Sequence, residues 1–343
     1  PTGNFATRFT GQWMIFNAFE TQQQIHAARL GAESAAAVEK ATDQGIVFQV
    51  VQAYQAVLHA QRQLDLAQHQ QDTAEALVRD AGTRVKAGLA IDSDLLSAQV
   101  NLAARQQENI AAQGSVETAW AELETAMGGA VNPRPQLQPI DAKTFSGGAF
   151  EEDLARALAA RPDLTALRKQ TAAQEQAAKA ARSDFFPQLS ASGNWETDRP
   201  TFAGDGGNNW VAGVQLTLDI LPLSKRAHFA EARAAQAKAA AEERSQEQQI
   251  RLAVSRAFTG HQTTERMVAA SRAAMEQAAE GLRILHNRYD AGLATMTDLL
   301  HAEDAERQSQ NNYWHAAYGN TVAWAALLYA TGQLTPDTAE TLQ

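Results

Sequence analysis

The sequence predicts a mainly α protein with some β. Long antiparallel coiled-coil helices form two hairpins, membrane-length strands accompany them, and the whole is an internal two-fold repeat. Three observations predict this. The first is a near copy: Thr83–Gln99, TRVKAGLAIDSDLLSAQ, returns at Asn287–Glu303 as NRYDAGLATMTDLLHAE, with Gly88 and Gly292 separated by 292 − 88 = 204 positions. The same offset pairs Tyr54 with Phe258, Arg84 with Arg288, Asp94 with Asp298, Ala98 with Ala302, Trp120 with Trp324 and Gly128 with Gly332. A constant offset over so long a stretch marks a duplicated unit. The second is a helical apolar spacing sustained far beyond ordinary helix length. The third is period-two alternation in three short segments.

Composition narrows the function. The chain of 343 residues carries a net charge of −10, which disfavours binding driven by nucleic-acid phosphates. It has no cysteine, so disulfides, thiol catalysis and cysteine-based metal sites are excluded. No run of about eighteen apolar residues suggests a transmembrane helix. Alternating barrel strands would escape that test. The chain opens on Pro1 with no signal-like segment, which reads as a processed or truncated end. The repeat agrees: the helix and strand expected from Phe150 to Asp198 have no counterpart in the first unit.

Phe5–Asn17 alternates, with Phe5, Phe9, Trp13 and Ile15 opposite Arg8, Thr10 and Gln12. That length spans a bilayer as a tilted strand; a half-buried strand of a soluble sandwich is the alternative. From about Phe19 the period becomes helical. Val47, Val50, Tyr54, Val57, Gln61, Leu64, Ala67, Gln71, Ala74, Val78, Ala81 and Val85 form a heptad seam diluted with Ala and Gln. The helix from about Glu20 to Lys86 would be roughly 100 Å long. Val268, Ser271, Met275, Ala278, Leu282, Leu285 and Tyr289 repeat the spacing.

A turn at Gly88 leads to a second helix, Asp92–Met127, stopped by Gly128-Gly129. Ser93-Asp94 and Thr297-Asp298 stand where helix caps are expected. A Pro- and Gly-rich connector follows, then helices at Glu151–Ala160 and Asp163–Ser183. Phe185–Trp195 and Trp210–Ile220 alternate again around a polar loop, TDRPTFAGDGGNN, and read as a hairpin. Aligning Gly11 with Gly213 puts the apolar faces of the two copies out of phase, so a bulge or a shifted register is expected in one. From Ser224 a second pair of long helices turns at Gly292 and ends near Gly332. The polar tail QLTPDTAETLQ is expected to run along the outside. The domain reading is 1–131 first repeat, 132–162 connector, 163–332 second repeat and 333–343 tail.

Two strands per repeat give four per chain, and four cannot close a barrel. An open edge in lipid leaves backbone groups unpaired, so several chains must close it together. Three chains would supply twelve strands, a size known for outer-membrane barrels. They would also supply twelve long helices, enough for a hollow tube. That is a conduit, and nothing in it calls for catalysis or a cofactor.

The doubled Arg84-x-x-x-Gly88…Asp94-Leu95-Leu96-x-Ala98 and Arg288-Tyr289-x-x-Gly292…Asp298-Leu299-Leu300-x-Ala302 carry a family resemblance. ARPDL at Ala160–Leu164, FFPQL at Phe185–Leu189 and the strand-to-helix joints near Asn17 and Asp219 add to it. The chain resembles the TolC-like outer membrane factors, the exit ducts of tripartite efflux pumps and type I secretion systems. The resemblance implies a homotrimer in the cell outer membrane, with a twelve-stranded barrel in lipid and a trimeric α-barrel tunnel through the periplasm. The connector and tail would form an equatorial belt. The implied partners are a periplasmic adaptor (membrane fusion protein) and an inner-membrane pump; the adaptor would dock at the hairpin tips, Gly88, Leu89, Gly292 and Leu293.

The resemblance also implies a gate. Asp298 matches an aspartate of the gate ring, Tyr289 a tyrosine of the link network, and Asp94 its acceptor in the first repeat. His301 stands where a second gate aspartate is common, and Ala294 where a lock arginine is known, so other partners such as Arg288 are expected to replace that lock. Three copies of Asp298 on an axis would repel one another, raise their pKa values and favour cations. His301 would weaken that field in mild acid; an ordinary exposed tip residue is the alternative. A soluble coiled-coil scaffold or a periplasmic adaptor is the competing function, distinguished by needing no detergent.

Overall fold

A computed structural model describes residues 5–138, 148–199, 202, 205–220 and 223–340. The middle of the expected connector, parts of the hairpin loop and the last three residues lie outside the described residues. The elements in order are β1 (Phe5–Phe16), α1 (Glu20–Lys86), α2 (Asp92–Ala126), α3 (Phe150–Ala160), α4 (Pro162–Ser183), β2 (Gln188–Arg199), β3 (Gly207–Thr217), α5 (Leu223–Asp290), α6 (Met296–Ala330) and α7 (Pro336–Glu340). α1 and α5 run for 67 and 68 residues, and α2 and α6 for 35 each. The chain packs as two units, each drawn from both halves of the sequence: Pro1–Lys40 with Pro162–Gln248, and Ala41–Arg161 with Gln249–Gln343.

The first unit holds a three-stranded antiparallel sheet in the order β1-β2-β3. Its register sorts the side chains by chemistry. Directly paired residues of antiparallel strands share a face. Phe9, Trp195 and Trp210 therefore align across the three strands, as do Trp13, Ala191 and Val214. Arg8, Glu196 and Asn209 align on the opposite face, as do Gln12, Ser192 and Gly213. Arg8 and Glu196 make an ion pair at 2.8 Å, and Thr10 meets Asn194 at 3.2 Å. One face is thus apolar and the other polar, while β1 and β3 are exposed along their whole length.

The phase conflict resolves in β1. The register shifts between Met14 and Phe16, and the extra residue, Ile15, lets Phe16 return to the face it shares with Leu189 and Leu216. Strand bounds differ from the sequence reading. β2 continues to Arg199 because Phe5–Arg8 pair with Glu196–Arg199. β3 starts at Gly207 and stops at Thr217, so Leu218–Ile220 fall outside it. Ladder bonds, which alternation cannot report, decide both ends. Among the described residues there are three strands.

β1 passes into α1 through Ala18 and Phe19, both with positive φ (51° and 66°), a conformation costly for residues with a Cβ. The Asn17 side chain donates to Thr21 Oγ1 at 2.7 Å across this joint. The helical part of the unit packs on small residues: Ala37, Ala166, Ala173, Ala178, Ala180, Ala181 and Ala239 are buried, as is Leu164. Small side chains let helix backbones approach closely. The Ser34 hydroxyl accordingly donates to the Ala166 carbonyl at 2.9 Å, and Gln246 donates to Asp163 at 2.8 Å.

In the second unit the heptad seam is the packed face. Val57, Ala67, Ala74 and Ala81 are buried, and the other α1 seam residues are half-buried. Val57 and Ala60 meet Ala119, Trp120 and Leu123 in one core, while Ala325 and Leu334 anchor another with Val47, Phe48 and Val51. The tail is therefore not wholly external: Leu334 is fully buried, because the turn after α6 folds it back against α1. α3 docks through Leu154 and Ala157, and Arg161 donates to the Ala330 carbonyl at 3.2 Å.

Candidate functional site

The hairpin tips of the second unit gather the residues singled out above. α1 ends and α5 ends in the same way. The Gly88 amide donates to Val85 and the Leu89 amide to Arg84, at 2.9 and 2.8 Å; the Gly292 and Leu293 amides donate to Tyr289 and Arg288 at the same distances. This is the Schellman closure, which needs a left-handed residue, and the glycines supply it with φ of 71° and 73°. The turn pushes the next side chain outward: Leu89 is 79% exposed and Leu293 69%.

The second helices start differently. Thr295 caps α6. Its hydroxyl accepts from the Asp298 amide at 3.2 Å, and Asp298 Oδ2 accepts from the Thr295 amide at 2.9 Å, a reciprocal capping box. The Thr295 hydroxyl also lies 2.7 Å from Asp298 Oδ2. The cap is therefore Thr295, two positions before the expected Thr297. α2 has Ile91 at its cap and no side-chain bond, so Asp94 is not a cap. The repeat loses its threonine there, and with it the hydroxyl a box requires.

Below the turns, Leu77, Ala81, Ala98, Tyr289, Met296 and Leu299 form a buried cluster that draws on α1, α2, α5 and α6. Ala294 packs against it. Tyr289 is only 7% exposed. Arg84 covers it, with its guanidinium 4.7 Å from the ring centroid. The same guanidinium holds Asp80 on its own helix at 2.7 Å and Asp290 on α5 at 2.9 Å. One arginine thus ties the end of α1 to the end of α5. Arg288, the expected replacement for the missing lock, instead reaches the Leu293 carbonyl at 3.4 Å on its own tip. Its position on α5 aims it back over its own turn, whereas Arg84 faces across.

Electrostatics follow from this packing. Burial pushes the Tyr289 phenol up; Arg84 pulls it down, and Asp80, Asp94 and Asp290 push it further up. Asp94 acts on Tyr289 through its charge, and no hydrogen bond joins the two within one chain. Asp298 lies below the usual carboxylate range, because the Thr295 hydroxyl and amide donate to it, with His301 and Arg288 adding smaller pulls. His301 is exposed one turn further along α6. In the sequence Arg84 stands out only as a mark of the repeat. The available signal was Asp80, four residues before it on the same face.

Among the described residues no group of three or more His, Asp or Glu side chains is placed to hold a metal, and no helix is long and apolar enough to cross a membrane. The chain thus combines a sheet with one apolar and one polar face and long helical hairpins whose tips expose apolar side chains. The family model described as outer membrane efflux protein matches residues 2–129 and 154–333, and the chain belongs to that family. It is similar to the outer membrane efflux protein BepC of Brucella suis, 24% identical over 328 residues that cover 94% of this chain and 71% of that one. It is similar to the alkaline protease secretion protein AprF of Pseudomonas aeruginosa, 24% identical over 86% of this chain and 63% of that one. Its fold matches that of the outer membrane protein VceC of Vibrio cholerae, with a TM-score of 0.84 at 18% identity, covering 96% of this chain and 86% of that one. The chain is an outer-membrane channel of the efflux and secretion type. That displaces the soluble scaffold and adaptor readings.

Proposed function

We propose that this channel is a homotrimeric exit duct, built on an internal two-fold repeat and closed by a twelve-stranded barrel in which β1, β2 and β3 of each chain take part. Its domains follow the 1–131, 132–162, 163–332 and 333–343 division. The observation that carries the reading is the sheet register: one face collects Phe9, Trp13, Trp195 and Trp210, the other Arg8, Gln12, Glu196 and Asn209. An apolar face suits lipid and a polar face suits a water-filled lumen. The unpaired edges of β1 and β3 call for neighbours in a bilayer.

The hairpin tips are the docking points for a periplasmic adaptor, through Gly88, Leu89, Gly292 and Leu293. The adaptor in turn joins an inner-membrane pump. AprF is named for protease secretion and BepC for efflux; both cargo classes fit a duct that receives its substrate already selected. Asp298 and His301 line the periplasmic constriction, with Tyr289 and Asp94 in the links that hold it. Three Asp298 side chains on one axis would repel one another and oppose the downward pull that Thr295 exerts within each chain.

The test is single-channel conductance of the detergent-purified full chain in a planar bilayer, wild type against Asp298→Ala. Small cation-selective openings that widen or lose selectivity in the variant support the gate. Insertion with no change moves the constriction elsewhere, and a protein that never inserts overturns the barrel.

A further inference from the structure

Arg105 and Glu108 on α2 face Asp304 and Arg307 on α6, and the four close into a ring of alternating charge. Arg105 Nη1 meets Glu108 Oε2 at 2.8 Å and Arg105 Nη2 meets Asp304 Oδ1 at 3.1 Å. Arg307 Nη1 meets Glu108 Oε1 at 3.8 Å and Arg307 Nη2 meets Asp304 Oδ1 at 3.4 Å. Two of these contacts stay within a helix and two cross from one hairpin to the other. Arg105 is 9% exposed and takes a further bond to Asn101 at 3.2 Å. Its two carboxylate partners remain 41% and 52% exposed, so the ring is deep at Arg105 and open to solvent at Glu108 and Asp304.

The position is informative. The ring lies about three turns along α2 from Asp94, beyond the tip cluster of Tyr289 and Leu299. Beside it is a cavity of about 100 Å³ lined by Gln70, Thr73, Leu282 and Glu303 among others. The crossing contacts here are made by charged side chains, and Arg105, Asp304 and Arg307 line this cavity. α2 and α6 are the second helices of their hairpins, and any spreading of the tips pulls on this contact.

We propose that the Arg105–Asp304–Arg307–Glu108 ring is a second clamp between the two hairpins, one that holds α2 on α6 when the tip contacts of Arg84 release and so sets how far the periplasmic end can dilate. This rests on the duct reading above. The clamp is electrostatic and partly solvated, so it weakens with ionic strength. Its residues are positioning residues: they limit the opening without forming the constriction at Asp298.

The experiment compares wild type, Asp304→Arg, and the exchanged pair Arg105→Asp with Asp304→Arg. The exchange keeps both crossing pairs attractive and makes both intrahelical pairs repulsive, so it separates a clamp between hairpins from simple helix support. Two readouts are taken in low salt. One is the bilayer conductance of the full chain. The other is the spread of spin-label distances between Leu89→Cys and Leu293→Cys, with labelled chain diluted in unlabelled chain; both sites are exposed and the chain has no other cysteine. Asp304→Arg is expected to raise conductance at least twofold and broaden the distances, the exchanged pair to return both toward wild type, and high salt to erase the difference. Distances unchanged in Asp304→Arg, or broadened equally in the exchanged pair, overturn the clamp whether or not current flows. A wild type that conducts no current while the distances respond as expected overturns the duct reading and leaves the clamp standing.

Discussion

Arg84 and Tyr289, 205 positions apart in sequence, stack at the hairpin tips with the guanidinium 4.7 Å from the ring centroid. The contact joins the ends of the two longest helices. It places a cation over a phenol that is otherwise surrounded by Asp80, Asp94 and Asp290.

Arg84→Ala is expected to loosen the tip. A cation–π contact of this kind contributes about 1 kcal/mol, and its ion pairs, to carboxylates about half exposed, add little. Apparent thermal stability should fall modestly while open probability in a bilayer rises several-fold. Arg288→Ala, which removes a contact within its own turn and a small pull on Asp298, should change both far less.

Thr295→Ala and Asp298→Ala separate helix capping from gating. Loss of the Thr295 cap costs about 1 kcal/mol and keeps the acidic charge. If Asp298 lines the constriction, only Asp298→Ala changes cation selectivity, read as a shift in reversal potential across a salt gradient.

The acidic limb of stability has two opposing parts. Asp298 has a folded pKa below its usual value, so its contribution is present above the unfolded value and is lost as pH falls through the folded one. Glu303 is raised, first by burial and then by Asp304 and Glu306, against Arg105 and His286. A raised carboxyl binds more protons folded than unfolded, so its penalty is relieved as pH falls through the folded value toward the unfolded one. Glu303→Gln should therefore raise apparent stability near neutrality and gain progressively less just above the usual glutamate range. A melting series from neutral pH into that range measures this.

Leu89→Asp and Leu293→Asp are expected to change stability by less than about 0.5 kcal/mol, since both side chains already face solvent. They should abolish cross-linking to the adaptor in cells. Unimpaired cross-linking would remove the tips as the docking surface.

Trp13 and Gln12 test the sheet. Trp13 is 72% exposed on the apolar face, and an arginine facing lipid at mid-bilayer costs about 2–4 kcal/mol. Trp13→Arg should reduce the outer-membrane fraction, whereas Gln12→Arg, on the polar face, should insert normally and shift ion selectivity. Equal behaviour of the two would contradict the lipid-facing assignment.

Most of the architecture was legible because it rests on periodicity and turn chemistry. A seam from Val47 to Val85 can only be one face of a long helix. Gly88 and Gly292 announce turns because a left-handed residue is needed there. Strand ends were less legible: Thr197–Arg199 read as a polar loop, yet they pair with Phe5–Thr7 from far away in the chain. Leu334, in a polar tail, was fixed in the core only by the fold-back against Phe48 and Val51.

The sequence by itself determined the helical hairpins, the alternating strands and the offset that relates the two halves, since each depends on spacing along one stretch of chain. Only the tertiary structure decided that Arg84 rather than Arg288 ties the tips. It alone showed that Thr295 caps α6 while α2 goes uncapped, that Ile15 is the bulge, and that Arg105, Glu108, Asp304 and Arg307 close a ring. The cap depends on a hydroxyl meeting an amide three residues on, and the others on which way a side chain points across to a distant segment of chain; helical or strand periodicity carries no information about either.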